Sequence, residues 1–451
     1  MNDFTTGNPT RQIVMFALPM LIGNLFQQIY GLADAMVVGR YVGGLALAAV
    51  GSSTIIINFT LAVFIGLTTG ASIVISQFFG AKEEDKLKKS VSTSFVFLLI
   101  LGIAVSIAGY FLAPHLMNLL DVPEDIFADM LAYLRIILVG TIFPVIYNMY
   151  TAYLRALGDS KRPLYILIIA VILNIGLDLL FVAVFKWGVA GAAWATIASQ
   201  AVSAVLAHLY ANHFVPLLKI EGLSVDKGLL RLILRYSLPT ALQMSLTSLA
   251  NLTIMRLVNS FGAVSVAGYT AAVRIDQFAM IPMNNLSMAV STFIAQNMGA
   301  GLEDRAKKGL RSAMLIMLTL AITLSFFVLI LGRWLISMFV APTDIAYAEI
   351  LNVGVKYLST LAYFYFLFAI FFSFNGFFRG VGDAVIVMAL TISSLTIRAV
   401  AAHLLVAFFQ MGPEAVAFSI PVGWGLCSIF CLFYYKKRLW AGKVAVRKKA
   451  A

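Results

Sequence analysis

The sequence predicts an all-α integral membrane protein: twelve transmembrane helices in two six-helix lobes related by a pseudo-two-fold along the membrane normal. Three observations predict it. Of the 451 residues, 61% are hydrophobic and only 12% are charged, about half the charge of a soluble domain. The apolar runs are continuous and repeatedly exceed the roughly 20 residues a helix needs to cross a bilayer; a membrane β-strand would alternate over about ten. Finally, the chain repeats itself once, across an even number of those runs.

The apolar runs lie near residues 13–37, 51–78, 90–113, 128–152, 163–185, 190–212, 236–259, 270–298, 311–332, 350–377, 384–409 and 415–435. With the N-terminus in the cytoplasm, twenty-four Lys and Arg fall on cytoplasmic segments, and only Arg40, Lys186 and Arg333 lie in outer loops. Such asymmetry orients spans. It predicts twelve of them in the plasma (inner) membrane, with both termini inside. The opening "MNDFTTGNPTRQ" reads as a cytoplasmic tail and not as a cleaved signal. The net charge of +12 is therefore a matter of topology and implies no nucleic-acid partner. The Gly-rich "YVGGLALAAVG" reads as an outer loop with helix packing.

The repeat is visible in three places. "SQFFGAKEEDKLKK" (76–89) matches "AQNMGAGLEDRAKK" (295–308) at seven of fourteen positions, an offset of 219. "RALGD" (155–159) matches "RGVGD" (379–383) at an offset of 224, and the "LP" at 18–19 recurs at 238–239. Six spans separate each pair, so both halves share one orientation. The polar linker after span six divides the chain into an N-terminal lobe, 1–218, and a C-terminal lobe, 219–451. Transporters place substrates between such repeats.

Other chemistries lack their residues. No Gly loop with a Lys cradles phosphate. His115, His208, His213 and His403 are scattered without metal-ligand spacing, and Cys427 and Cys431 read as packing on one helix face. No cofactor is expected.

Taken together, several motifs resemble the multidrug and toxic compound extrusion (MATE) family of secondary transporters. They are the two "LP" pairs, "GLADAMVVGR", "SQFFGAKEEDKLKK", "RALGDSKRP", "NIGLD" and "GVAGAAWATIASQ". The resemblance covers nearly the whole chain and implies export of organic cations in exchange for Na⁺ or H⁺ by alternating access. In DinF-like members a cation site lies in the first lobe, and Asp34, Asn174, Asp178 and Thr196 stand at its places. The NorM-like group carries acids in spans seven and ten. Here span seven and the interior of span ten have none, so the chain resembles the DinF-like group more closely.

The same residues argue on their own. A carboxylate inside a span costs roughly 2.5 kcal/mol or more, so it is rarely idle. Asn174 and Asp178 are four apart, on one helix face. An amide oxygen, two carboxylates and a hydroxyl are hard ligands suited to Na⁺. The carboxylates, withdrawn from water, can take up H⁺ instead. The competing reading is an interhelical polar contact, strongest for Thr196 on its Ala/Gly-rich helix. No further metal is expected beyond a possible Na⁺ at this site.

In the second lobe Ile254, Arg398 and Ala402 stand near the places of Asp34, Asn174 and Asp178, so one cation site per chain is expected. Arg256, Arg274, Asp276 and Arg398 remain there, with Asp276 expected to pair with one of the arginines. Arg135 and Lys356 are expected to snorkel to the outer surface. Pro19, fifteen residues before Asp34, is a candidate hinge, and Pro239 is its counterpart. Candidate substrate-lining residues are Gln27, Tyr30, Tyr147, Tyr150, Gln243, Met244, Met280 and Met283, since aromatic rings and Met suit lipophilic cations. The sequence therefore predicts a monomeric, bilayer-embedded, cation-coupled antiporter of small organic cations, not an enzyme. A lipid-linked oligosaccharide flippase of the same superfamily is the alternative, and a membrane-embedded enzyme a more distant one.

Overall fold

A computed structural model describes residues 2–220 and 222–445. Arg447, Lys448 and Lys449 of the basic tail lie outside them. All regular secondary structure among the described residues is helical. The first half comprises α1 (Pro9–Tyr41), α2 (Gly44–Ala81), α3 (Glu84–Leu119), α4 (Glu124–Val139), α5 (Ile142–Ala156), α6 (Lys161–Asp178), a π-helical stretch (Leu179–Val184) and α7 (Gly188–Phe214). The second comprises α8 (Lys227–Asn259), α9 (Ala263–Gly299), α10 (Glu303–Ser337), α11 (Tyr347–Tyr363), α12 (Tyr365–Val381), α13 (Ala384–Phe409) and α14 (Glu414–Lys436).

Among the described residues nine helices are individually long and apolar enough to cross a membrane, counting α6 and its π stretch as one. The pairs α4–α5 and α11–α12 pass together as spans bent by 45° and 54°. With α8 these make twelve, six in each half. The sequence places single runs at spans four and ten, and each is in fact a broken helix. At the first break Gly140 lies against Ile197 of α7, where a Cβ would collide. At the second, Phe364 separates Tyr363 from Tyr365.

The repeated motifs are turn chemistry. Lys82 and Gly301 occupy equivalent places and both adopt left-handed backbone, with φ of 59° and 76°. The acids that follow, Glu84 and Asp85 or Glu303 and Asp304, fill the first turn of α3 or α10, where the helix dipole favours negative charge. Gly158 and Gly382 of the "GD" pairs have φ of 79° and 102°, a region open to glycine without strain. One expectation is corrected. Most of "YVGGLALAAVG" is not a loop, because α2 already starts at Gly44. Gly43, with φ of 123°, makes the turn, and the Ala- and Leu-rich stretch after it favours helix.

By packing, the chain forms two units: residues 1–3 with 18–241, and 4–17 with 242–451. In the first, α2 and α8 cross at small residues. A Cβ added at Gly66 would fall on the backbone of Ala241, and one at Gly70 on Ser237. The Ser237 hydroxyl donates to the Leu67 carbonyl at 2.8 Å. Small residues four apart let helix backbones approach this closely in lipid.

In the second unit the N-terminal segment is gripped by α9 and α10. Phe4 is buried between Phe16 and Phe293. Its N–H donates to Gln296 Oε1 at 3.0 Å, and its carbonyl accepts from Asn297 Nδ2 at 3.1 Å. Arg305 donates to the carbonyls of Phe4, Thr6 and Gly7 and to Gln12 Oε1, at 2.6–3.0 Å. Helix α1 thus begins among the residues of the second unit and continues in the first. The change falls between Ala17 and Leu18, beside Pro19, whose missing N–H leaves the Met15 carbonyl without a helical donor.

Candidate functional site

The first unit gathers polar groups from four helices. Helix α1 carries Tyr30 and Asp34 one turn apart, α6 carries Asn174 and Asp178 with the same spacing, α7 supplies Thr196 and Ser199, and α4 supplies Tyr133. Asp34 is 8% exposed, and Asn174 and Asp178 are fully buried. The two carboxylates lie close enough to repel one another. Tyr30 and Tyr133 both face this pair and the Thr196 hydroxyl.

What distinguishes the cluster is how little of its polar capacity is used internally. Asp34 Oδ1, both oxygens of Asp178, both amide atoms of Asn174 and the Tyr30 hydroxyl are buried without a hydrogen-bond partner. The Tyr30 hydroxyl lies near Thr196 and Ser199 without completing a bond to either. Buried polar groups are normally paired, and each one left unpaired costs about 1–3 kcal/mol. An interhelical packing contact would satisfy these groups against each other, and this one does not.

The backbone is also irregular here. Immediately after Asp178 the α6 helix widens into π geometry, a feature common at functional sites. An apolar cluster of Val37, Val38, Tyr133, Val182, Val189 and Ala193 packs on the same helices. Converging hard oxygens beside such a cluster could coordinate a small monovalent cation or take up a proton. Among the described residues no group of three or more His, Cys, Asp or Glu could hold a metal ion.

Comparison with known proteins follows the same lines. The family model MatE matches residues 19–180 and again 239–404. The chain belongs to the MatE family. The two matched stretches begin 220 residues apart, which restates the repeat. The probable multidrug resistance protein YpnP of Bacillus subtilis is 32% identical, over 97% of this chain and 97% of its own. The probable multidrug resistance protein NorM of Thermotoga maritima is 28% identical over 89% and 87%. Among solved structures, MATE in the bent conformation superposes with a TM-score of 0.90 at 25% identity, covering 97% of both chains. A Pyrococcus furiosus transporter of the MOP superfamily gives 0.88 at 25%, covering 97% and 98%. Relatives and neighbours of this MatE chain are transporters and not enzymes.

The four cation-site residues expected from sequence all lie in one unit of this MatE protein, on α1, α6 and α7. The substrate candidates are placed differently. Tyr30 lies in the buried polar cluster with Asp34 and Asp178. Tyr147 and Tyr150 are buried within the first unit, their hydroxyls bonded to the Pro163 carbonyl at 3.2 Å and to His208 Nδ1 at 2.6 Å. Gln27 is exposed. In the second unit Gln243 Nε2 donates to Thr391 at 2.9 Å, leaving its Oε1 buried without a partner. Met283 is fully buried, and Met244 and Met280 are half-buried.

Asp276 takes its hydrogen bond from Tyr365, at 2.7 Å. Arg398 is near enough to act through charge alone, so the expected arginine pair is in fact a tyrosine–carboxyl pair. Arg256 and Arg274 are exposed. Arg135 lies over the Tyr110 ring at 4.8 Å. Lys356 lines a cavity of about 210 Å³ with Tyr357 and Glu414.

Ser199 and Tyr133, which are not among the residues expected from sequence, lie beside the cluster of Asp34 and Asp178, and so does Tyr30, expected among the substrate-lining residues. The one-turn spacing of Tyr30 from Asp34, and of Ser199 from Thr196, was a usable signal. Nothing local marks Tyr133, which reaches the site only through the packing of α4.

Proposed function

We propose that the protein exports lipophilic organic cations by alternating access, in exchange for Na⁺ or H⁺ bound at Asp34, Asn174, Asp178 and Thr196. The observation that carries this reading is the set of buried acceptors on Asp34, Asn174 and Asp178 that have no protein partner. The names of the relatives, multidrug resistance proteins, support the substrate class. The acids of the first lobe, with none in span seven or the interior of span ten, support a DinF-like rather than a NorM-like reading.

The coupling ion enters from outside and binds both carboxylates, with the Asn174 amide oxygen and the Thr196 hydroxyl completing the shell. Because α1 carries Asp34, drawing that carboxylate towards α6 changes the course of α1 about Pro19, and this displaces the drug. The ion can drive the step only through unequal affinity for the two states. The protein works as a monomer, with both termini in the cytoplasm.

The test is efflux of a fluorescent organic cation from vesicles in which the Na⁺ and H⁺ gradients are collapsed separately. Efflux is expected to stop with one of the two gradients. Asp34→Asn and Asp178→Asn are each expected to abolish gradient-driven efflux, and full efflux in both variants would overturn the assignment.

A further inference from the structure

The first half of α8 has two faces. Ile233, Tyr236, Ser237, Thr240 and Ala241 are buried, and Ser237 and Ala241 meet α2. On the opposite side Lys227, Arg231 and Arg235 are exposed at four-residue intervals, so they stack along one stripe about 6 Å apart. Leu230, Leu234 and Leu238 run beside them with the same spacing, and Pro239 closes the row. Together these seven residues, all on α8, line a shallow and widely open groove along the helix face.

The charges in this groove are unanswered. Among the described residues none of the three bases forms an ion pair or hydrogen bond. The nearby acid, Asp226, is committed elsewhere: its Oδ1 accepts from the N–H groups of Gly228 and Leu229 at 2.8 and 2.9 Å. A solvated basic face would not need a parallel leucine wall, and a lipid-facing leucine row would not need three cations. The combination matches an amphiphile with an anionic head and an apolar tail. Arginine forks suit phosphate oxygens, and basic residues where a helix enters the inner leaflet attract anionic lipid.

We propose that this groove on α8 is a binding site for one anionic phospholipid. Its phosphate lies across Arg231 and Arg235 with Lys227 at the entrance, and an acyl chain lies along Leu230, Leu234 and Leu238. The site belongs to the inner leaflet, given the orientation implied by the distribution of basic residues. It does not depend on which ion drives transport. The Arg235 carbonyl is the one left without a helical donor by Pro239, so a lipid held here sits on the α8 counterpart of the α1 proline.

The test titrates phosphatidylglycerol into the full-length protein in phosphatidylcholine nanodiscs and follows the thermal unfolding midpoint. The wild type is expected to respond to phosphatidylglycerol, and this response weakens at least fivefold in the triple variant Lys227→Gln, Arg231→Gln, Arg235→Gln. The control Lys86→Gln, Lys88→Gln, Lys89→Gln removes the same charge from the first turns of α3 and is expected to keep the response. No lipid preference in the wild type overturns the proposal without recourse to any variant. An equal loss in the control would assign the effect to general surface potential. An equal stabilisation by inorganic phosphate in detergent would assign it to an ion. Either result also overturns the proposal.

Discussion

Replacing Asp178 by Asn keeps the shape of the side chain and removes its charge. In the proposed site one monovalent cation lies between two carboxylates. Two unit charges about 4 Å apart interact by about 4 kcal/mol at an effective dielectric of about 20, so Asp178→Asn is expected to weaken ion binding about a thousandfold. At an ion concentration about a hundred times Kd, the wild type gains about 2.7 kcal/mol of stability. At the same concentration the variant gains essentially none.

The ion-free variant is expected to be no less stable than the ion-free wild type. Both Asp178 oxygens are buried without donors and Asp34 is close by, so the substitution removes an unpaired charge without opening a cavity. The assay is thermal unfolding of purified protein across Na⁺ concentration at fixed pH, and across pH without Na⁺. Loss of the ion-dependent shift with an unchanged or raised ion-free midpoint is predicted. A variant that keeps the full shift refutes the reasoning.

Three other outcomes are expected. Gly70→Val forces a branched side chain onto the Ser237 backbone and should destabilise the purified protein by about 3 kcal/mol, read as a lowered unfolding midpoint. Arg305→Ala removes the donor to Phe4, Thr6, Gly7 and Gln12; partly exposed bonds of this kind are worth about 1–2 kcal/mol together. Hydrogen exchange should quicken around Phe4 while α9 and α10 stay protected. Tyr365→Phe takes the hydroxyl from Asp276, at a cost of about 1–3 kcal/mol in stability. Its ion-dependent shift should match the wild type, because that pair lies outside the proposed ion site.

The architecture was legible because membrane helices announce themselves by length and charge asymmetry, and because a duplicated chain carries its own internal comparison. Span number and the internal repeat follow from those signals. The breaks at Gly140 and Phe364 do not, since a bent span is as apolar as a straight one and the bend is made by what packs against it. The early start of α2 was missed for the opposite reason: glycines at 43 and 44 suggest a loop, and only one of them makes a turn. Of the site, Asn174 and Asp178 stood out as polar residues in an apolar run. Tyr133 could not stand out, because tyrosines near span ends are common and its role comes entirely from contact. The Phe4 anchor was equally hidden in a tail that reads as polar, although its backbone bonds to Gln296, Asn297 and Arg305.

The central claim is a single coupling-ion site per chain, built by Asp34 and Asp178. Its most direct test is the ion-to-protein ratio in purified protein, measured as bound radioactive Na⁺ and, in Na⁺-free buffer, as protons taken up per chain. The account predicts one ion per chain, lost in Asp34→Asn and in Asp178→Asn. Two ions per chain, or one ion retained in both variants, would contradict it.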